Sequence, residues 1–191
     1  MSELLINAVN HYSKDFTLID VPYMVDVDVS ASTKPDFVKD LHHSKEKVYV
    51  GSGEQSFIQL MKDKKILSGK QMCITPCYRD EEILDDLHNL MFMKLELIEY
   101  HTKWNDHEIF MNEHLIALSN MISSAKSFFK KQLNYRSTIE TVVSGHNQYD
   151  ILINGIEVGS YGGRETAFGR FIYGTGVAFP RINQALQRTE T

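Results

Sequence analysis

The sequence predicts an α+β fold in which a mainly antiparallel β-sheet is flanked by helices. Residues 71–79 and 91–100 alternate in the manner of strands, and the acidic stretch 80–86 separates them, which favours a long antiparallel hairpin. Residues 105–133 repeat apolar side chains with helical spacing, and the simplest interpretation of that stripe is core packing. Strands and helices follow one another without a regular βαβ alternation, which argues against a doubly wound parallel sheet.

The chain opens with a predicted amphipathic helix over residues 3–14. Ser2 precedes it and is suited to the N-cap, because a serine side chain can accept a hydrogen bond from an amide of the first turn. Five apolar side chains fall on one helical face: Leu4, Leu5, Ala8, Val9 and Tyr12.

A strand is predicted next, over residues 16–29. Asp26 and Asp28 alternate with valines, which is the period of a strand. Pro22 removes one ladder donor, so we expect this strand at a sheet edge or a partner interface. The polar segment 30–47 predicts a loop.

Short elements lead into the hairpin. Residues 48–50 predict a strand, residues 51–54 a turn, and residues 56–64 a short helix. After the long helix, the remaining segments are predicted as strands at 139–143 and 149–158, the latter turning at Asn154-Gly155, a turn at 159–163, a strand at 168–173 and a helix at 176–186.

Composition limits the class of protein. The 191 residues are 42% hydrophobic and 24% charged, and we interpret residues 1–191 as one domain with a sizeable core. The net charge of -5 provides no global basic field that would attract nucleic acid. Two cysteines cannot form a disulfide framework, and the amino terminus lacks the pattern of a signal peptide, so we expect a cytoplasmic protein.

The hairpin carries the residues best suited to chemistry. Alternation places Arg79 and Glu81 on one face of the first strand, and Phe92 and Glu96 on one face of the second. A guanidinium fork suits phosphate oxygens and an aromatic ring suits stacking on a base, while carboxylates suit an ammonium group, an adenine amino group or Mg²⁺. A surface hairpin with scattered charges would give the same alternation.

Three segments in order resemble the class II aminoacyl-tRNA synthetases. Their motif 2 is matched by Tyr78-Arg79-Asp80-Glu81 and, after a loop, by His88, Phe92 and Glu96 at four-residue steps. Residues 174–181, a glycine-rich strand end that opens a helix bearing Arg181, resemble motif 3. The first helix with the Pro22 strand resembles motif 1, the dimer element of that family. The resemblance covers most of the chain.

The resemblance implies an ATP site with two catalytic arginines. Arg79 would bind the α-phosphate, and Arg181 together with His88 would bind the γ-phosphate. Phe92 and Arg181 would hold adenine between them, and Glu81 would accept a hydrogen bond from its amino group.

Two subclasses of the family remain possible. Asp150 and Glu157 resemble the acid pair that holds Mg²⁺ against ATP in the aspartyl and asparaginyl members, and Arg164 falls where those members recognise the substrate. Residues 75–79, 157–160 and 174–181 resemble seryl-type signatures instead. In Ser52-Gly53-Glu54, Glu54 resembles the acid that holds the substrate's amino group, a role that Glu96 could also fill.

The resemblance therefore implies an ATP-dependent ligase that activates an amino acid or related carboxylate as an adenylate, with ATP and Mg²⁺. We expect a homodimer through motif 1, with a tRNA, a protein or a carrier as acceptor and no membrane partner. No anticodon-binding domain is recognised in the 191 residues. The alternative is a non-catalytic synthetase paralogue that senses an amino acid or binds tRNA or a protein.

Overall fold

The computed structural model describes residues 2–34, 39–80 and 89–188, and within them a seven-stranded sheet forms the centre of the fold. The strands are β1 (Thr17–Leu18), β2 (Met24–Asp26), β3 (Lys47–Tyr49), β4 (Gly69–Tyr78), β5 (Met91–Tyr100), β6 (Ile139–Gly145), β7 (Gln148–Ile153), β8 (Ile156–Thr166) and β9 (Gly169–Phe179). The sheet has the order β1-β4-β5-β9-β8-β7-β6 and is antiparallel except between β1 and β4. Strands β2 and β3 pair separately. This arrangement confirms the predicted α+β class.

Helices cover both faces of the sheet. They are α1 (Glu3–Tyr12), α2 (Val27–Ala31), α3 (Gly53–Lys62), α4 (His107–Lys130) and α5 (Arg181–Gln187), with a 3₁₀ turn at Thr102–Asn105. Side chains of α1, α4 and α5 build the larger apolar core on one face, and α2, α3 and the β2–β3 pair build a smaller core on the other. In the part of the chain described, no helix is both long enough and apolar enough to cross a membrane.

Several local predictions are confirmed. The Ser2 hydroxyl accepts a hydrogen bond from the Leu5 amide at 3.3 Å, so it caps α1. The long helix predicted within residues 105–133 is also present as α4, and Asp106 caps it by accepting hydrogen bonds from two amides of its first turn. Strands β4 and β5 pair antiparallel along their whole length. Asn154 and Gly155 have φ values of 50° and 74°, which is the backbone of the predicted tight turn.

The strand predicted over residues 16–29 is wrong in its second half. The helix α2 begins at Val27, and only short pieces before it are strand. Asp26 and Asp28 are the acids whose alternation with valines suggested a strand. Both form ion pairs with Lys62 of α3, at 2.9 Å for Asp26 and 2.7 Å for Asp28. These contacts attach the segment to α3.

Two predicted helix starts are also wrong. Helix α3 begins at Gly53, so Glu54 lies in its first turn and not in a loop. Strand β9 continues to Phe179, and the last helix begins only at Arg181. The reason for the longer strand is packing: a Cβ at Gly176 would lie 2.4 Å from a Leu95 methyl group, so the backbone stays close to β5.

The turn predicted at residues 159–163 is wrong as well, because these residues lie inside β8. A Cβ at Gly159 would lie 2.6 Å from the hydroxyl of Tyr161, and one at Gly162 would lie 2.8 Å from the hydroxyl of Tyr173. Glycines at these positions allow two tyrosines to lie against the strand, and they do not mark a turn.

A β-bulge in β9 changes which residues of that strand face each side. Leu95 pairs with Val177 and Glu96 pairs with Thr175, so Gly176 is an extra residue with no partner in β5. As a result Val177 faces the larger core, whereas Thr175 lies on the opposite face beside Glu96.

A second bulge lies in β8. Leu152 pairs with Glu157 and Ile151 pairs with Gly159, which leaves Val158 as the extra residue. In a regular strand, Glu157 and Arg164 would face opposite sides because they are seven residues apart. The bulge restores them to the same side.

Tyrosine hydroxyls satisfy the carbonyls at the β9 bulge. The hydroxyl of Tyr161 donates to the Thr175 carbonyl at 2.6 Å, and that of Tyr12 donates to the Gly176 carbonyl at 3.0 Å. Both tyrosines are fully buried. Since bulged residues lose ladder partners, these two hydrogen bonds hold the irregular backbone in place.

We therefore expect Tyr161→Phe to lower the free energy of unfolding by about 1–3 kcal/mol, because it leaves a buried carbonyl without its donor. Tyr135→Phe is the matched control, since Tyr135 is 89% exposed and should change stability by less than about 0.5 kcal/mol. Urea unfolding of both variants measures the difference. Equal stability of the two variants would show that the Tyr161 hydroxyl does not support the bulge.

Candidate active site

A cavity of about 460 Å³ lies on the sheet face that carries α3, between β5, β8, β9 and the starts of α3 and α5. Seven of the predicted site residues line it: Glu54, Arg79, Phe92, Glu96, Glu157, Arg164 and Arg181. Asp150 is not among the lining residues. Glu81 and His88 lie outside the described residues. The structure thus brings together residues that are up to 127 positions apart in the chain, from Glu54 to Arg181.

The inner end of the cavity contains an ion pair between Glu54 and Arg164. The Nε atom of Arg164 lies 2.5 Å from Oε1 of Glu54, and the guanidinium lies over the ring of Tyr173 at 4.9 Å. Burial raises the pKa of Glu54 to about 7, although Arg164 acts in the opposite direction, and the nearby Glu96 adds to the increase. The sequence predicted that Glu54 holds the substrate's amino group and that Arg164 recognises the substrate. In the structure these two side chains are paired with each other.

A second ion pair lies beside the first. Lys94 Nζ lies 2.5 Å from Oε1 of Glu96, and the Ser52 hydroxyl donates to the same oxygen at 2.7 Å. The Glu96 and Lys94 side chains are only 3% and 14% exposed. A carboxylate this deeply buried requires such partners, because an unpaired buried charge is strongly unfavourable.

Gly53 explains how α3 reaches this carboxylate. A Cβ at Gly53 would lie 2.7 Å from Cγ of Glu96 and 2.9 Å from the Thr75 methyl group. Only a glycine lets the first turn of α3 approach the sheet so closely. The polar face of the hairpin, which we expected to be displayed, is therefore largely covered by α3 at Glu96.

Arg79 and Phe92 form the outer part of the cavity. Arg79 follows the last residue of β4, and its amide continues the ladder by donating to the Leu90 carbonyl at 3.1 Å. Its guanidinium lies over the Phe92 ring at 5.1 Å. The register pairs Cys77 with Phe92, which places the ring on the cavity side of the hairpin, as alternation predicted.

Arg181 and Glu157 also line the cavity. Arg181 is the first residue of α5, and its Nη1 atom lies 3.5 Å from Oε1 of Glu157. The Glu157 side chain is 47% exposed, so this end of the cavity opens to solvent. Asp150 lies on the neighbouring strand, two residues from Leu152, the partner of Glu157, and so occupies a diagonal position on the same sheet face.

Sequence reasoning missed Lys94 and Tyr173. Lys94 lies midway between Phe92 and Glu96, and strand alternation alone places it on their face. That signal was available in the sequence. Tyr173 offered no comparable signal, because its place beneath Arg164 depends on the pairing of β8 with β9.

The arrangement has two chemically different ends. The inner end holds two buried carboxylates, each paired with a cation, and suits a small charged molecule. The outer end holds two arginines and an aromatic ring, which suit phosphate oxygens and a planar base. Within the described residues, no group of three His, Cys, Asp or Glu side chains is close enough to form a metal cluster.

The raised pKa of Glu54 gives a test of this geometry. Because the folded-state pKa of about 7 exceeds the ordinary value of 4.5, the folded protein binds the proton more tightly than the unfolded chain does. Ionisation of Glu54 therefore removes stability as the pH rises from about 4.5 to about 7. The total loss is on the order of 3 kcal/mol.

We expect the difference in unfolding free energy between the unmodified protein and Glu54→Gln to fall by that amount across this pH range. Urea unfolding of both proteins at several pH values measures it. Glu165→Gln serves as the control for this difference, because Glu165 is an exposed carboxylate that pairs with Arg170. A difference that stays flat or rises with pH would contradict the burial of Glu54 at this site.

Comparison with known proteins identifies the fold. Neither the protein-family models nor the curated proteins give a match for the sequence. A solved structure of PylSc, a pyrrolysyl tRNA synthetase from Desulfitobacterium hafniense, is similar with a TM-score of 0.68 at 14% sequence identity, and the match covers 99% of this chain and 72% of that one. This similarity confirms the fold implied by the three sequence motifs. The chain has the class II aminoacyl-tRNA synthetase catalytic fold.

Proposed function

We propose that the protein is an ATP-dependent ligase that activates an amino acid or a related carboxylate as an adenylate. The observation that carries the proposal is the single cavity in which Arg79, Phe92 and Arg181 meet two buried, charge-paired carboxylates. The likeness in fold to a tRNA synthetase supports the same class of chemistry.

The reaction joins the carboxylate to the α-phosphorus of ATP. A carboxylate oxygen attacks that phosphorus, and a new P–O bond forms as the bond to the β-phosphate breaks and pyrophosphate leaves. Negative charge is spread over the phosphate oxygens throughout, so positioned cations provide most of the stabilisation. In the proposal, Arg79 binds the α-phosphate and Arg181 binds the γ-phosphate.

Adenine would stack on Phe92. The ring already stacks on a planar cation, Arg79, at 5.1 Å, and in the proposal Arg181, which also lines the cavity, covers the other face of the base. His88 and Glu81, to which the resemblance gives contacts with the γ-phosphate and the adenine amino group, lie outside the described residues. Their roles remain predictions.

Asp150 and Glu157 fit a site for Mg²⁺ that is shared with the nucleotide. Mg²⁺ in such sites is held by one or two carboxylates, with phosphate oxygens and water as the other ligands. The two acids occupy a diagonal position on one sheet face, and Glu157 borders the outer end of the cavity. When bound, the ion would neutralise phosphate charge, and Arg181, 3.5 Å from Glu157, lies close to the same place.

The activated group would pass to a tRNA, a protein or a carrier. We also propose a homodimer that uses α1 and the segment around Pro22, the part of the chain that resembles motif 1. A synthetase-like fold is the support for both partners.

ATP–pyrophosphate exchange with each of the twenty amino acids and Mg²⁺ tests the proposal. We expect exchange with at least one of them, and Arg79→Ala should lower its rate by about 100-fold or more, because it removes the cation that faces the reacting phosphate. Arg136→Ala is the matched control, since Arg136 is exposed and stacks on Tyr135 outside the cavity. Its exchange rate should not change.

Exchange that survives Arg79→Ala would reject the assigned role of Arg79. No exchange with any amino acid would reject the ligase. If the protein then still bound ATP in a thermal-shift assay, the alternative function, a non-catalytic module that senses an amino acid or binds tRNA or a protein, would be favoured.

A further inference from the structure

Four titratable side chains meet at the inner end of the cavity, two carboxyl groups and two basic groups. Arg164 pairs with Glu54 at 2.5 Å, and Lys94 pairs with Glu96 at 2.5 Å. All four line the cavity. Each basic group therefore faces one carboxyl group, and this end of the cavity holds no excess of negative charge before any ligand enters.

We propose that Lys94 determines specificity and that it selects an amino acid whose side chain carries an anionic group. This inference rests on the proposed adenylate chemistry and deepens it by naming the substrate class. The substrate ammonium would bind Glu96 and displace Lys94, whose own ammonium would then bind the anionic group of the substrate side chain.

The reacting carboxylate cannot be the partner of Lys94. In the proposed reaction this carboxylate must lie at the α-phosphate beside Arg79, near the outer end of the cavity. The substrate's α-ammonium then points toward the inner end, where Glu54 and Glu96 are the available carboxylates. Whichever carboxylate accepts it, that carboxylate then faces two cations, and the inner end gains one positive charge with no new negative charge beside it.

Lys94 is better suited than Arg164 to change partners. The guanidinium of Arg164 is held by Glu54 and lies over the Tyr173 ring at 4.9 Å. Lys94 is a point charge on a flexible stem. Glu96 would also keep the hydrogen bond from Ser52, at 2.7 Å, when Lys94 moves away.

Charge balance then separates the substrate classes. An amino acid with a neutral side chain brings one positive charge to the inner end and leaves the Lys94 ammonium, 14% exposed, without a counter-charge. A basic side chain makes the imbalance larger. An anionic side chain brings both charges, so each buried ion regains a partner and no charge is left unpaired.

The test compares acids with their isosteric amides. ATP–pyrophosphate exchange is measured with L-aspartate against L-asparagine and with L-glutamate against L-glutamine. We expect one acid to exceed its amide by about 100-fold or more in kcat/KM. Lys94→Gln should remove most of that preference, because it raises KM for the acid far more than KM for the amide.

Lys70→Gln is the matched control, because Lys70 lies beside Glu99 at 3.7 Å and is not among the cavity-lining residues. It should keep the preference of the unmodified protein. Circular dichroism establishes that each variant folds. If Lys94→Gln does not fold, the comparison of acids and amides on the unmodified protein still decides the substrate class.

Exchange that favours amides or other neutral amino acids would overturn the role of Lys94 and leave the ligase intact. If exchange is absent with every amino acid, calorimetry without ATP measures whether the protein binds the same acids more tightly than their amides, and this result decides the role of Lys94. Binding of an acid that Lys94→Gln weakens would support the inference even though the ligase had failed, and no preference for an acid would overturn both.

Discussion

Two β-bulges of the central sheet, one in β8 and one in β9, are the constraint on which the candidate site depends. The extra residue Val158 lets Glu157 and Arg164 face the same cavity although they are seven positions apart in the chain. The extra residue Gly176 likewise turns Thr175 toward the cavity and Val177 toward the larger core. Because the tyrosine hydroxyls of α1 and β8 satisfy the carbonyls of the β9 bulge, the core on one sheet face supports the geometry on the other.

Paired burial of charge is the second requirement. The first turn of α3 covers the sheet so closely that Glu54 and Glu96 lose nearly all contact with water. Each of them then needs a cation nearby, which Arg164 of β8 and Lys94 of β5 provide. The glycine at position 53 and the serine at position 52 belong to the same arrangement, because the first permits the approach and the second donates to Glu96.

Local patterns in the sequence predicted the elements well where one rule acted alone. The Ser2 cap, the Asn154-Gly155 turn and the alternation in the hairpin are all confirmed. Prediction failed where tertiary contacts decide. The run around Asp26 alternates like a strand, but Asp26 forms an ion pair with a lysine of α3. Gly159 and Gly162 allow close packing against tyrosines and do not mark a turn. No pattern in this sequence predicts a bulge. That Glu157 and Arg164 lie on the same face of the sheet could therefore be expected only from the family resemblance.

The cavity has a buried end and an open end, and this division matches the different charge and solvation of the two proposed ligands, a nucleotide and a small charged substrate. A nucleotide carries several negative charges that remain partly solvated, so the half-buried arginines at the outer end can bind it without being fully desolvated. A small charged substrate must lose its water to be discriminated, because ion pairs in water are weak and unselective. Discrimination between substrates therefore requires the buried end, where the Glu96 and Lys94 side chains are nearly inaccessible to water. When a substrate binds there and the ions change partners, either every buried ion has a partner or one buried ion is left without a counter-charge.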